Sequence, residues 1–178
     1  MSDSSTERHE SRGRRLSGPR RKAVLTVHLV AALGLLGVST VLLVGSVYAA
    51  TRDDAREANA IYALLRLLTF GLDIPLAVVT LIAGATLART SKWRIFGDRW
   101  LTAKLALYSA TAILGVTLVG PSIDTMVDVT EASNPGTSST RWRLASAAGL
   151  QVTMLLTAAA LGVFKPRARM WTRFAWLQ

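Results

Sequence analysis

The chain has 178 residues, of which 51% are hydrophobic and 18% are charged, and its mean hydropathy is +0.35. A soluble domain carries about 25% charged residues, whereas here the charges lie in short blocks between long apolar runs. This pattern excludes an ordinary water-soluble domain and predicts an all-α polytopic membrane protein, a four-helix transmembrane bundle. The net charge of +10 then reflects Lys and Arg at cytoplasmic membrane surfaces rather than nucleic-acid binding. Because the chain has no cysteine, disulfides and thiolate metal sites are excluded.

Taken in chain order, the sequence begins with a polar segment at residues 1–22 that is expected to be a disordered basic cytoplasmic tail. Four apolar runs follow, each long enough for the roughly 20 residues that cross a bilayer, at residues 23–50, 60–88, 101–120 and 144–164. The first run is much longer than the about 7–15 apolar residues of a signal peptide, so we interpret it as a span. Residues 121–143 are expected to form a polar loop, and residues 165–178 a basic, aromatic tail on the inner leaflet.

The distribution of basic residues predicts the orientation. The N-terminal tail, the 89–104 hairpin and the C-terminal tail hold seven, five and four Lys or Arg residues, whereas the opposite side has four beside six acids. Cytoplasmic loops are enriched in Lys and Arg, so we expect a multi-pass protein of a bacterial plasma membrane with both termini cytoplasmic. Anionic lipids of the inner leaflet are the expected partners, and a protein partner or a second copy of the chain remains open.

Aromatic and basic side chains alternate in the hairpin after the second span and in the C-terminal tail. Such mixtures are typical of membrane interfaces, where aromatic rings sit among headgroups and cations bind phosphates. We therefore expect lipid contacts from Trp93, Arg94, Phe96, Arg99, Trp100, Lys165, Arg167 and Trp171.

Four segments resemble a group of uncharacterised four-span integral membrane proteins that is common in actinobacteria. They are HLVAALGLLG at 28–37, Pro75-Leu76-Ala77 with Leu81 and Gly84, WxxFxxxWxxxKL at 93–105, and VFKPR at 163–167. The hairpin motif is the most specific, and the likeness covers the membrane part but not the first 22 residues. The resemblance implies a four-span topology and no particular activity. Members often carry further histidines where this chain has Leu118-Val119-Gly120 and Leu144-Ala145-Ser146.

A charge at membrane depth costs about 2.5–3.5 kcal/mol on insertion scales, so Asp73 in the second span needs a physical reason. It lies about 22 Å from the inner end of that span by helix rise, and Pro75 weakens the helix beside it. We predict that Asp73 faces the bundle interior and is held by Gln151 and the hydroxyl of Ser39 or Thr117. A packing network, a proton or cation site, and a carboxylate near the outer edge with water access all remain open.

Two other ionisable groups in the spans are candidates for binding. Arg66 is expected at the outer interface, either reaching the headgroups or attracting anions at a pore mouth. His28 is expected about 9 Å in from the inner surface, with Lys104 and Tyr108 at the same depth. For His28, an interfacial hydrogen bond, a quinone contact, proton transfer and haem ligation remain open. No cofactor or metal is expected, because the sequence has no nucleotide loop, metal-ligand spacing or nucleophile–base pair.

The leading functional hypothesis is therefore a non-enzymatic membrane subunit or scaffold. One alternative is a small transporter or proton-handling protein that uses Asp73, and a second is a redox membrane subunit that uses His28. A closed, dry bundle with a groove or a flat apolar face for another protein would favour the scaffold, and a water-accessible cavity that reaches Asp73 would favour the transporter.

Overall fold

The computed structural model describes residues 18–90, 99–132 and 136–164. Within these ranges the chain forms α1 (Gly18–Ala50), α2 (Ala55–Leu68), α3 (Ile74–Thr90), α4 (Arg99–Leu114), α5 (Gly120–Glu131) and α6 (Ser138–Phe164). Two π-helical turns, π1 (Thr69–Asp73) and π2 (Gly115–Val119), join α2 to α3 and α4 to α5 without a break. The result is four continuous helices that are long and apolar enough to cross a membrane. The predicted all-α fold with four spanning helices is confirmed.

The four helices pack as an antiparallel bundle. We call the half that contains the α1–α2 and α5–α6 connections the outer half, and the half that contains both ends of the described chain the inner half. In the outer half, α2 packs against α1 and α5. In the inner half, α3 packs against α1, and α4 packs against α6, while α1 and α6 contact each other extensively. The second and third spans therefore meet in the outer half but rest on different neighbours in the inner half.

The tightly packed apolar core lies in the outer half. Its largest members, each at most 1% exposed, are Tyr62, Leu42, Leu65, Ile123, Met126 and Leu144. Gly45 allows α1 and α2 to approach closely, since a Cβ at this position would lie 2.7 Å from Leu65 Cδ2. Close approach of small residues replaces the hydrophobic effect as the source of packing energy between helices in lipid. The outer half is therefore the closely packed part of the bundle.

Large apolar side chains cover the outside of the bundle. Leu33, Ile82 and Val163, for example, are 69%, 62% and 77% exposed. Soluble monomers rarely expose a continuous apolar surface of this kind to water. Lipid tails are themselves apolar and can surround such a surface without a solvation penalty. The exposed surface therefore agrees with four lipid-covered spans.

Two helices begin earlier than the sequence analysis predicts. Helix α1 begins at Gly18, so the last five residues of the predicted disordered tail are helical. Pro19 favours this start, because a proline in the first helical turn lacks only an N–H that would have no partner there. Helix α2 begins at Ala55 rather than near residue 60, because Asp54 Oδ1 accepts a 2.8 Å hydrogen bond from Arg56 N and caps the helix.

The predicted polar loop at residues 121–143 is wrong. The third helix continues through α5 to Glu131, and α6 begins at Ser138. Pro121, the first residue of the predicted loop, instead occupies the first turn of α5, where it is tolerated. The true connection contains Gly136, whose φ of +74° is a left-handed conformation that glycine adopts at no steric cost.

Several predictions concern residues outside the described ranges. They are the disorder of residues 1–17, the interfacial tail at 165–178, and the lipid contacts of Trp93, Arg94, Phe96, Lys165, Arg167 and Trp171. Arg99 and Trp100 are the first two residues of α4.

Candidate functional site

A buried carboxylate at the centre of the bundle is the main candidate. Asp73 is the last residue of π1, near the middle of the second spanning helix, and is only 6% exposed. Ser39 Oγ on α1 donates a 2.9 Å hydrogen bond to Asp73 Oδ1, and Gln151 Nε2 on α6 donates a 3.2 Å bond to Oδ2. Gln151 Nε2 also lies 3.2 Å from Ser39 Oγ, to which it donates. Three of the four spanning helices thus converge on one carboxylate.

The structure brings together Asp73, Ser39 and Gln151 but leaves Thr117 out of this network. Thr117 is exposed, and its hydroxyl donates a 2.7 Å hydrogen bond to the carbonyl of Ile113 in its own helix. Depth along the helix is therefore not sufficient for contact, because the side chain must also lie on the facing side of its helix.

The two π-helical turns share a local sequence cause. In π1 the N–H of Ile74 bonds to Thr69 O, five residues back, and the next residue is Pro75. In π2 the N–H of Gly120 bonds to Gly115 O, again five residues back, and the next residue is Pro121. Proline removes an N–H and clashes with the carbonyl four residues before it, and a wider turn relieves that clash. Sequence reasoning noted the first proline but missed that the second one follows the same pattern.

A small pocket adjoins Asp73. Its volume is about 120 Å³, and its walls come from α1, the second span, the third span and α6. The polar side chains that line it are Thr69, Asp73, Tyr108, Thr111 and Gln151. Sequence reasoning singled out Asp73, Gln151 and Tyr108, but it missed Thr69 and Thr111, which have no charge to mark them.

The hydroxyl and amide hydrogens of the polar side chains in this pocket are all donated to other protein atoms. Tyr108 Oη donates to Ala77 O at 2.6 Å, and Thr69 and Thr111 donate to the carbonyls of Leu65 and Leu107. The amide hydrogens of Gln151 go to Ser39 and Asp73, while its buried Oε1 has no hydrogen-bond partner. The pocket therefore offers oxygen acceptors only. Such a lining suits a proton, a cation or a hydrogen-bond donor, and it disfavours an anion.

Asp73 has no cationic partner among the ion pairs of the described residues. Arg66, seven residues earlier, instead places Nε 2.8 Å from Asp124 Oδ1 on α5. Both side chains are partly exposed, at 54% and 41%. Arg66, for which the sequence predicts contact with headgroups or external anions, pairs with an acid of the same chain.

His28 of α1 and Lys104 and Tyr108 of α4 each contact another helix of the inner half. His28 Nδ1 lies 3.0 Å from Thr80 O and packs against Gly84, where a Cβ would be 3.1 Å from the imidazole Cε1. Lys104 Nζ lies against Gly162 of α6, 3.2 Å from where a Cβ would stand. Tyr108 bonds to Ala77 and lines the Asp73 pocket. Of the three side chains predicted at one depth, His28 and Tyr108 therefore both contact α3, whereas Lys104 contacts α6.

The outer end of the bundle is closed by polar contacts. Arg141 Nη1 donates a 2.7 Å hydrogen bond to Arg52 O and lies 3.8 Å from Asp53 Oδ1. Asn59 Nδ2 donates to Val127 O and to Thr130 Oγ1 at 3.3 and 3.0 Å, which ties α2 to α5. These bonds cross between helices in the same half as the apolar core. The site at Asp73 thus lies beneath a firmly closed outer end.

A search of the curated proteins and a search of the solved structures each found no match. A comparison with protein-family models found one family, described as predicted integral membrane protein, which matches residues 22–166. The match covers all four spanning helices and agrees with the resemblance that the sequence motifs indicate. The family is one of unknown function, so its description supports membrane integration and assigns no activity. The chain belongs to the predicted integral membrane protein family DUF2269.

Proposed function

We propose that this protein is a small, non-enzymatic membrane protein that binds and releases a proton or a small cation at Asp73. One observation carries the proposal, namely the pocket of about 120 Å³ that adjoins this carboxylate within the spans. A scaffold of closed helices would need no such space beside a buried acid. The pocket favours the proton-handling alternative over the scaffold hypothesis for this reason.

The physical basis is the incomplete neutralisation of Asp73. Two hydrogen bonds, from Ser39 and Gln151, stabilise the carboxylate, but no basic side chain of the described residues pairs with it. An uncompensated charge in the bilayer is costly, so the site gains stability when a proton or a cation joins it. The unpartnered Gln151 Oε1 supplies a further oxygen ligand at the same place. Reversible occupation of the site is the function that this arrangement supports best.

The proposal includes a bacterial plasma membrane and cytoplasmic termini. The basic residues of the N-terminal tail, the hairpin and the C-terminal tail support this orientation, because positive charge is retained on the cytoplasmic side. At the opposite end, the basic side chains Arg52, Arg66 and Arg141 each lie beside an acid, namely Glu57, Asp124 and Asp53. Anionic lipids of the inner leaflet are the proposed partners of the basic segments.

The test uses the full chain in liposomes and the lipid-soluble reagent dicyclohexylcarbodiimide. This reagent adds across the O–H of a protonated carboxylic acid, and rearrangement gives a stable N-acylurea that retains all atoms of both molecules. We expect a single adduct, located by mass spectrometry at Asp73 and absent in Asp73→Asn. Glu57, which is exposed at the outer end, is the internal control and should stay unmodified.

Flux is the second measurement. Proton flux driven by a potassium diffusion potential should be faster with the natural chain than with Asp73→Asn, and the carbodiimide should abolish the difference. Replacing sodium by choline in the same assay separates a proton site from a sodium site. Equal flux for both chains, together with an unmodified Asp73, would overturn the proposal.

A further inference from the structure

The inner halves of the second and third spans are separated by a gap. Helix α3 rests on α1, and α4 rests on α6, whereas α3 and α4 have hardly any backbone contact with each other in the described residues. In the outer half the same two spans are packed together through α2 and α5. The two spans therefore diverge below their π-helical turns, at the level where the Asp73 pocket lies.

The rim of the pocket is apolar and faces outward. Ile74 and Val78 on the second span and Val116 on the third span all line the pocket and are 37%, 49% and 66% exposed. Exposed valine and isoleucine on a spanning helix face lipid tails rather than water. The pocket thus opens sideways, between α3 and α4, into the hydrocarbon region.

The interior of the pocket has the opposite character. Asp73 is 6% exposed and Gln151 is 3% exposed, and the Oε1 of Gln151 lies there without a hydrogen-bond partner. A ligand that enters from lipid must therefore be apolar along most of its length and must carry hydrogen-bond donors or positive charge at one end. The acceptor lining excludes a fatty acid or another anionic amphiphile on charge grounds.

The size of the pocket limits the group that enters. A cavity of about 150 Å³ holds one benzene molecule, so a pocket of about 120 Å³ accommodates one small headgroup and little more. The tail of a larger ligand has to remain in the gap between α3 and α4. Tyr108 crosses this gap by donating to Ala77 O at 2.6 Å, so it is placed to control the width of the opening.

From these observations we propose that the pocket binds the ammonium headgroup of a lipophilic amine, which enters from the membrane between α3 and α4. This inference rests on the proposed function, because it takes Asp73 as a site that exchanges a cation or a proton. It goes beyond that function by naming the class of substrate and the route of entry. The ammonium group would neutralise the carboxylate and donate to Gln151 Oε1, while the hydrocarbon tail lies against Ile74, Val78 and Val116.

Protection of Asp73 from dicyclohexylcarbodiimide tests the inference with the full chain in liposomes. Dodecylammonium should slow the modification at least tenfold, whereas dodecanol, which has the same tail and no charge, should slow it less than twofold. A double-chained quaternary ammonium lipid at the same mole fraction provides the control for surface charge, because it is too large for the pocket. Equal protection by all three compounds, or by none, would overturn the inference and leave the proposed function standing. No modification at all in the absence of amine would instead count against the proposed function.

A second pair of variants tests the route. Val116→Trp places a large side chain at the rim of the gap, whereas Val44→Trp makes the same change at a similarly exposed valine of α1, 63% against 66%. We expect Val116→Trp to lower protection by dodecylammonium at least fivefold and Val44→Trp to leave it unchanged. Equal protection in the two variants would contradict entry between α3 and α4.

Discussion

Ser39 Oγ donates a 2.9 Å hydrogen bond to Asp73 Oδ1 between two helices, across 34 residues of sequence and in a fully buried position. Seven residues along the same helix, Ser46 is equally buried, at 1% exposure, but its hydroxyl donates to Leu42 O of its own helix. The two serines therefore have the same helix and the same burial but different partners. This makes them a matched pair for measuring what the network at Asp73 contributes.

Ser39→Ala should lower the free energy of unfolding by roughly 1–3 kcal/mol, because it leaves a buried carboxylate short of a donor. Ser46→Ala should lower it by about 0.6 kcal/mol or less, in the range of ordinary hydrogen bonds within membranes. Unfolding in mixed micelles with increasing dodecyl sulfate measures both values. Equal losses in the two variants would show that the carboxylate does not depend on Ser39.

Gly84→Ala should destabilise the inner half of the bundle by about 1–3 kcal/mol, as overpacking does. The new Cβ would lie 3.1 Å from His28 Cε1 and 3.4 Å from Nδ1, so the imidazole that contacts Thr80 O would have to shift by a few tenths of an ångström. Gly37→Ala is the control, since no atom lies within 4 Å of its Cβ position. In a His28→Ala background the penalty of Gly84→Ala should fall below about 1 kcal/mol. A penalty that persists in that background would mean that another neighbour causes it.

Tyr108→Phe should raise the rate at which the carbodiimide modifies Asp73 by at least threefold. The substitution removes the hydroxyl that ties α4 to Ala77 O of α3, so the gap between these helices should open more often. Tyr48→Phe removes a comparable bond, to Glu57 Oε1 at the outer end, and should leave the rate unchanged. Mass spectrometry of timed samples gives both rates, and a slower reaction in Tyr108→Phe would contradict this role.

The ion pair between Arg66 and Asp124 should contribute modestly to stability. Because both side chains are partly exposed, a double-mutant cycle with Arg66→Ala and Asp124→Ala should give a coupling energy of about 0.2–1 kcal/mol. The exchanged pair, Arg66→Asp with Asp124→Arg, should recover most of the loss of the single charge reversals. If the loss of unfolding free energy in the double variant equals the sum of the two single losses, the two side chains do not interact in the membrane.

The orientation can be tested with single cysteines, because the natural chain has none. In intact cells, a membrane-impermeant maleimide should label Ser138→Cys, which is exposed at the start of α6. Lys22→Cys, exposed in the first turns of α1, should react only after the membrane is permeabilised. The reverse pattern would place the termini outside the cell.

Sequence reasoning placed polar side chains at the depth of Asp73, but it did not predict on which side of the helix each of them lies. Helix rise alone placed Ser39, Gln151 and Thr117 near the level of Asp73, and the first two do contact it. Thr117 does not, because it lies inside π2, on the exposed side of the third helix. A π-helical turn adds one residue, which rotates the following helix by about 100° relative to an uninterrupted α-helix. The residues of a proline-containing span that face the bundle interior can therefore be assigned only when the position of its π-helical turn is known.

The end of the third helix is another feature that the sequence did not predict. The sequence analysis ends the third span at Gly120, and only the structure shows that the helix continues through π2 to Glu131. As a result Asp124, assigned to a loop, is a helical residue that reaches Arg66. The pair could not be predicted, because its members are far apart in sequence and Asp124 was assigned to a loop between two spans.

The amino-acid order alone sets the number of spans, their apolar surfaces and the depth of Asp73, because these depend on local composition and on a constant rise per residue. The partners of Asp73, the pocket beside it and the gap between α3 and α4 were decided only when four helices packed together. Each of these features depends on the rotation and tilt of one helix against another, and those quantities arise from contacts between residues distant in sequence.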